Sequence, residues 1–168
     1  EAEATVDILA DATAAEIVAS VNRVSDSTGV TAVARSSATI SNLDTDGVVS
    51  MTLNGSVVSA EVTTTDLSQL AAAINSKSSA TGVSATLSAD KASMELVHSD
   101  GDDLDFLNFE HSAAETGIST VNMRVTGSEG TYVTLQDGTA IDRDSTVVGG
   151  NIKFLSSSAF TVTSNVDE

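Results

Sequence analysis

The chain contains an internal repeat. Residues 13–32, TAAEIVASVNRVSDSTGVTA, align without a gap onto residues 66–85, DLSQLAAAINSKSSATGVSA, at an offset of 53 residues. Asn22 falls on Asn75, Ser25 on Ser78, and Thr28-Gly29-Val30 on Thr81-Gly82-Val83. Ile17, Val21 and Val30 fall on Leu70, Ile74 and Val83. A match of identity and of apolar pattern means that two stretches fold as copies of one supersecondary unit. The fold must therefore accommodate the same helix–turn–strand piece twice.

Each copy opens as a helix. Thr13 stands three residues before Glu16, the spacing of a capping box, and Asp66 stands in the same relation to Gln69. Ile17, Val18, Val21 and Val24, and then Leu67, Leu70, Ala71 and Ile74, recur at helical spacing and predict one apolar stripe per helix, suited to a sheet. Strands are expected at 30–34 and 83–87. Ahead of the second helix, VVSMTLNGSVVSAEV alternates around Asn54-Gly55, a strong hairpin signal. Further strands are expected at 92–97 and 106–109. The first copy has only residues 5–9 before its helix, so its outer hairpin strand is expected to be missing, as if the sequence began inside the repeat, and the open edge of 5–9 is expected to pair antiparallel with the strand at 160–163.

After residue 119 the pattern changes to short strands at 123–125, 132–135, 152–155 and 160–163, separated by Gly127, Gly130, Asp137-Gly138 and Gly149-Gly150. The expected fold class is α+β: tandem hairpin–helix–strand units followed by a β-rich segment. The expected domains are a truncated first unit at 1–43, a second unit at 44–110 and a closing β-rich segment at 111–168.

Composition narrows the function. Against 24 Asp and Glu stand 7 Lys and Arg, a formal charge of −17, in 168 residues. Phosphate backbones and anionic membrane surfaces are held by cations, so nucleic acid and membrane are not expected partners. There is no Cys, Pro or Trp and one Tyr. Disulfides and thiolate chemistry are excluded, and aromatic platforms for bases or sugars are not expected. Val, Ile and Leu run throughout, unlike a disordered acidic tail.

The second unit resembles the flagellin hook IN motif, found in bacterial flagellins and in the filament cap protein. The residues that carry the resemblance are Leu53-Asn54-Gly55, then the helix from Asp66-Leu67 through Leu70-Ala71 to Ile74-Asn75, then Thr81-Gly82-Val83-Ser84-Ala85. It covers roughly residues 51–109, with a degenerate copy at 5–40. The resemblance implies the central, variable, surface-exposed region of a flagellin: a structural part of the extracellular flagellar filament. It implies partners in other flagellin subunits, reached through flanking helices that this sequence lacks. The isolated chain is then expected to be monomeric. A filament cap domain and a surface adhesin or glycan-binding module are the alternatives.

The chemistry-bearing residues point to no reaction. Asp100, Asp102, Asp103 and Asp105 surround Gly101, an arrangement that can bind Ca²⁺, but the EF-hand spacing is absent and a solvated turn explains the run. His98 and His111 are the two histidines, and His111 with Glu115 forms a lone HxxxE rather than a zinc-protease motif. There is no GxSxG elbow. The Gly127–Gly130 and Gly149-Gly150 stretches lack the lysine of a phosphate loop. Asn54-Gly55-Ser56 fits a glycosylation sequon, but the turn accounts for it. No catalytic, cofactor-binding or metal residue is therefore expected, and no enzyme.

Overall fold

The computed structural model describes residues 3–115, 120–138 and 143–164. Two antiparallel sheets pack face to face, with two helical segments at the seam. The first segment is helix α1 (Ala14–Asn22) and the single turn α2 (Ser25–Thr28). Strand β1 (Val30–Ser41) follows, then the hairpin β2 (Gly47–Leu53) and β3 (Ser56–Val62). The second segment is α3 (Ser68–Ser76) with the turn α4 (Ser78–Thr81), leading into β4 (Val83–Leu87) and β5 (Met94–His98). The chain continues through β6 (Leu104–His111), α5 (Ser112–Glu115), β7 (Val121–Gly127), β8 (Tyr132–Asp137), β9 (Thr146–Val148) and β10 (Asn151–Ser156).

The larger sheet runs β4-β5-β1-β7-β8, with β10 also on β1; the smaller runs β3-β2-β6-β9. β1 organises the larger sheet. Its first half, from Val30 to Arg35, pairs with β10, and its second half pairs with both β5 and β7. Alternation sets its faces: Ala32, Ser36, Ala38 and Ile40 are buried on one face with Ala34 half-buried beside them, and Thr31, Val33, Arg35, Ser37 and Thr39 lie on the other. The core lies between the sheets and draws on Ile40, Met51, Leu70, Leu96, Phe106 and Met123 among others.

The repeat is present in three dimensions. Asn22 closes a two-bond clamp on Ala32, donating to its carbonyl at 3.0 Å and accepting from its N–H at 2.8 Å. Asn75 makes the same clamp on Ala85, at 2.9 and 2.8 Å. Thr28 and Thr81 each donate to a carbonyl four residues back and accept from the N–H two residues on. Gly29 and Gly82 follow at φ 69° and 70°. Strand register is repeated as well: Val30 faces Ser156 and Ala34 faces Ile152, as Val83 faces His98 and Leu87 faces Met94. The piece α1-β1-β10 is thus the counterpart of α3-β4-β5.

The two copies are covered unequally. α3 packs against both β3 and β4 and buries Leu70, Ala71 and Ile74. α1 lies on β1 and the edge of β10, and Ile17, Val18 and Val21 are only half-buried. Among the described residues, the hairpin that roofs the second copy has no counterpart over the first.

The order of elements in the sequence does not assign the strands to sheets. The hairpin β2-β3 belongs to the smaller sheet, whereas β4 and β5, which follow its helix, belong to the larger one. A unit contiguous in sequence is therefore divided between two layers. Residues 5–9 and 160–163 are not strands, and the antiparallel pairing that the open edge of 5–9 suggests does not form. The first half of β1 is already paired by β10, whose half-buried Ile152 and Phe154 share its α1-facing side. Residues 5–9 have no neighbouring strand to supply ladder bonds, and Leu9 is 81% exposed. The sequence reading also missed β9. The second helix begins one turn position later than expected: Leu67 is its N-cap, and Asp66 accepts from Ser68 N at 2.8 Å with no returning bond from Gln69. At α1 the full box is present, with Glu16 N to Thr13 at 3.3 Å and Thr13 N to Glu16 at 3.0 Å.

Candidate functional site

The polar residues singled out from the sequence serve the backbone. Asn54 and Gly55 turn the hairpin at φ 43° and 78°. The Asn54 side chain then reaches β6: its amide donates to Asp103 O at 2.9 Å and its oxygen accepts from Asp105 N at 2.9 Å. The sequon asparagine is thereby a rivet between the hairpin tip and the third strand of the smaller sheet. The sequence gives its turn but not this second use, because Asp103 and Asp105 lie about fifty positions away.

His98 and the aspartate run meet at the β5–β6 connection. His98 is buried and packs against Gly82, with Nε2 3.9 Å from an Asp102 carboxylate oxygen. Asp102 also accepts from Thr13 at 3.2 Å, which ties the loop to the cap of α1. Burial raises the pKa of Asp103 above the ordinary carboxylate value, and Asp105, Asp102 and Glu16 add like-charge repulsion. The carboxylates cluster without converging. Among the described residues, no group of three or more His, Asp or Glu is placed to hold a metal ion.

His111 sits apart, at the start of α5. It is buried, its Nδ1 accepts from Ala113 N at 3.1 Å, and its own N–H donates to Asp137 at 2.6 Å. Burial pushes its pKa below the ordinary value, and the opposing pull of Asp137, the Thr45 carbonyl, Asp44 and Asp46 does not restore it. The side chain of Glu115, the other half of the HxxxE, lies outside the described residues. Asp44 caps the start of β7. Burial works to raise its pKa, but hydrogen bonds from Asn122 and Thr45 outweigh that and hold it below the ordinary carboxylate range.

The glycine stretches form turns. Gly127–Gly130 joins β7 to β8, and Gly149-Gly150 joins β9 to β10. The shallow groove between them is lined by Ser128, Glu129, Thr131 and Asn151 and by no cation. It offers nothing to a phosphate. What the fold does present is surface: the outer faces of two sheets, which no further layer among the described residues covers. No helix among the described residues is long and apolar enough to cross a membrane.

The result is a two-sheet α+β architecture built around a helix–strand repeat, with its singled-out polar residues engaged in turns and clamps. Residues 39–100 match the flagellin hook IN motif. That span runs from the end of β1 through the hairpin, α3 and β4 to β5, and so includes the Asn75 clamp and the Asn54-Gly55 turn. Over those residues the chain is similar to flagellins, and the match spans less than half of its length. No curated protein matches the chain.

Proposed function

We propose that this chain is the surface-exposed, variable domain of a flagellin, carried on the outside of the filament and exported with it. The match of residues 39–100 to the flagellin hook IN motif carries this reading. The domain works by presentation rather than by chemistry. A hydrated, strongly acidic surface with abundant Ser and Thr keeps filaments soluble and apart during motility. The two helix–strand pieces are copies of one unit, the first without its hairpin, and the divisions at 1–43, 44–110 and 111–168 mark sequence segments that share a core. Contact with other flagellin subunits runs through flanking helices outside this sequence, and the isolated chain is a monomer at moderate concentration.

Immunogold microscopy with antibodies raised against the chain tests the reading. Label along the whole filament supports it. Label confined to the filament tip identifies a cap protein, and label on the cell body with bare filaments identifies an adhesin; either result overturns it.

A further inference from the structure

The two outer sheet faces differ in charge. On the larger sheet, Arg35, Arg124 and Lys153 all face outward, on β1, β7 and β10. Register places them on one side: Ser41 opposes Arg124, and Val33 opposes Lys153. These are three of the seven cations in a chain with 24 acids. The only carboxylate among the described outward strand positions of this face is Glu95, and it is paired to Arg35 at 3.2 Å. Between the cations lie Val33, Tyr132 and Leu155, which are 41% to 54% exposed. The Arg124 guanidinium stacks 4.1 Å from the Tyr132 ring centre, so that cation is held in place.

The smaller sheet is the reverse. Its outward positions carry Glu61 on β3 and Asp105 and Glu110 on β6, and no Lys or Arg. Apolar side chains accompany them: Val48, Val57 and Leu107 are 39% to 65% exposed. Each face thus combines an apolar patch with a charge excess, and the signs are opposite: three cations against the one paired Glu95 on the larger sheet, three carboxylates on the smaller.

We propose that the two faces are complementary halves of one contact between copies of this chain: the basic outer face of the larger sheet docks on the acidic outer face of the smaller sheet of a neighbour. Charge complementarity selects the occupant. An acidic surface fits the basic face, and a second copy brings one that is both acidic and apolar. The contact is head-to-tail, so it repeats along an array instead of closing into a dimer. The net charge of −17 opposes it between free molecules. In an array that fixes copies side by side, effective concentration offsets that repulsion. The proposal concerns the chain itself and stands whether or not the flagellin reading does.

The absence of native cysteine makes the test direct. Val33→Cys reports the basic face and Ser59→Cys the acidic one; both positions are exposed. The two variants are mixed at high concentration under mild oxidation, and the disulfide-linked dimers are resolved by mass. The mixed dimer should exceed the half expected from random pairing, and each variant alone should dimerise more slowly. Adding Arg124→Glu and Lys153→Glu to the Val33→Cys chain should abolish the excess. Adding Glu61→Lys and Glu110→Lys to its Ser59→Cys partner should restore it, a rescue that misfolding cannot mimic. Random pairing, or self-pairing as fast as cross-pairing, overturns the proposal.

Discussion

The unequal covering of the two repeat copies can be measured by one matched pair of substitutions. Leu70 and Ile17 occupy the same position in the repeat, and both lose three carbons on mutation to alanine. Leu70 is fully buried between α3, β3 and β4. Leu70→Ala should therefore cost about 2–5 kcal/mol, the transfer loss plus a cavity that neighbours cannot close. Ile17 is half-buried. Its three carbons are worth roughly 0.8 kcal/mol each when fully buried, so about 1 kcal/mol is lost and no closed cavity remains. Alanine is also the better helix former by a few tenths of a kcal/mol, which reduces the Ile17 cost further. Urea denaturation followed by circular dichroism reads both values. By heat, at about 2–4 °C per kcal/mol for a chain of this size, Leu70→Ala should lower Tm by roughly 4–20 °C and Ile17→Ala by about 2–4 °C. Equal losses at the two sites, or a larger loss at Ile17, would refute the claim that the first copy lacks its roof.

Three further outcomes follow from named contacts. Gly29→Ala and Gly82→Ala both force a side chain into left-handed backbone, at about 1–2 kcal/mol; Gly82→Ala should cost clearly more in the same denaturation assay, because its Cβ would lie 2.1 Å from the buried His98 ring whereas Gly29 faces open space. Asn75→Ala should destabilise by about 1–3 kcal/mol through two lost hydrogen bonds and speed amide exchange at Ala85, and unchanged exchange there would contradict the clamp. His111 has a folded pKa below its ordinary 6.5, so the unfolded chain takes up the proton first; its contribution to stability is complete above about pH 6.5 and falls as pH drops through the folded value. In denaturation midpoints measured across that range, His111→Gln should remove this part of the slope.

The repeat, its caps and its clamps were legible because they are local. Thr13 to Glu16 is a three-residue relation, and Asn22 and Asn75 were visible as matched positions, although nothing in the sequence said that each would grip a strand ten residues on. The hairpin followed from alternation around Asn54-Gly55. Sheet membership was not legible. Alternation states which residues share a face, not which strand lies alongside, and so it does not say that β2-β3 and β4-β5 fall in different sheets. The same gap produced the mistaken pairing of 5–9 with 160–163: both are apolar enough, but β10 holds the partner edge of β1. The opposed charges of the outer faces were also invisible in sequence, since Arg35, Arg124 and Lys153 meet only through the register of three separate strands.

The central claim is that this domain stands on the outside of a flagellar filament, and cryo-electron microscopy of filaments from cells producing the chain tests it most directly. The account predicts density at the outer radius of every subunit that fits the two-sheet domain, with β1 and β10 resolvable as one ribbon beneath α1. Filaments whose density is complete without this domain, or that carry it only at the tip, would contradict the account.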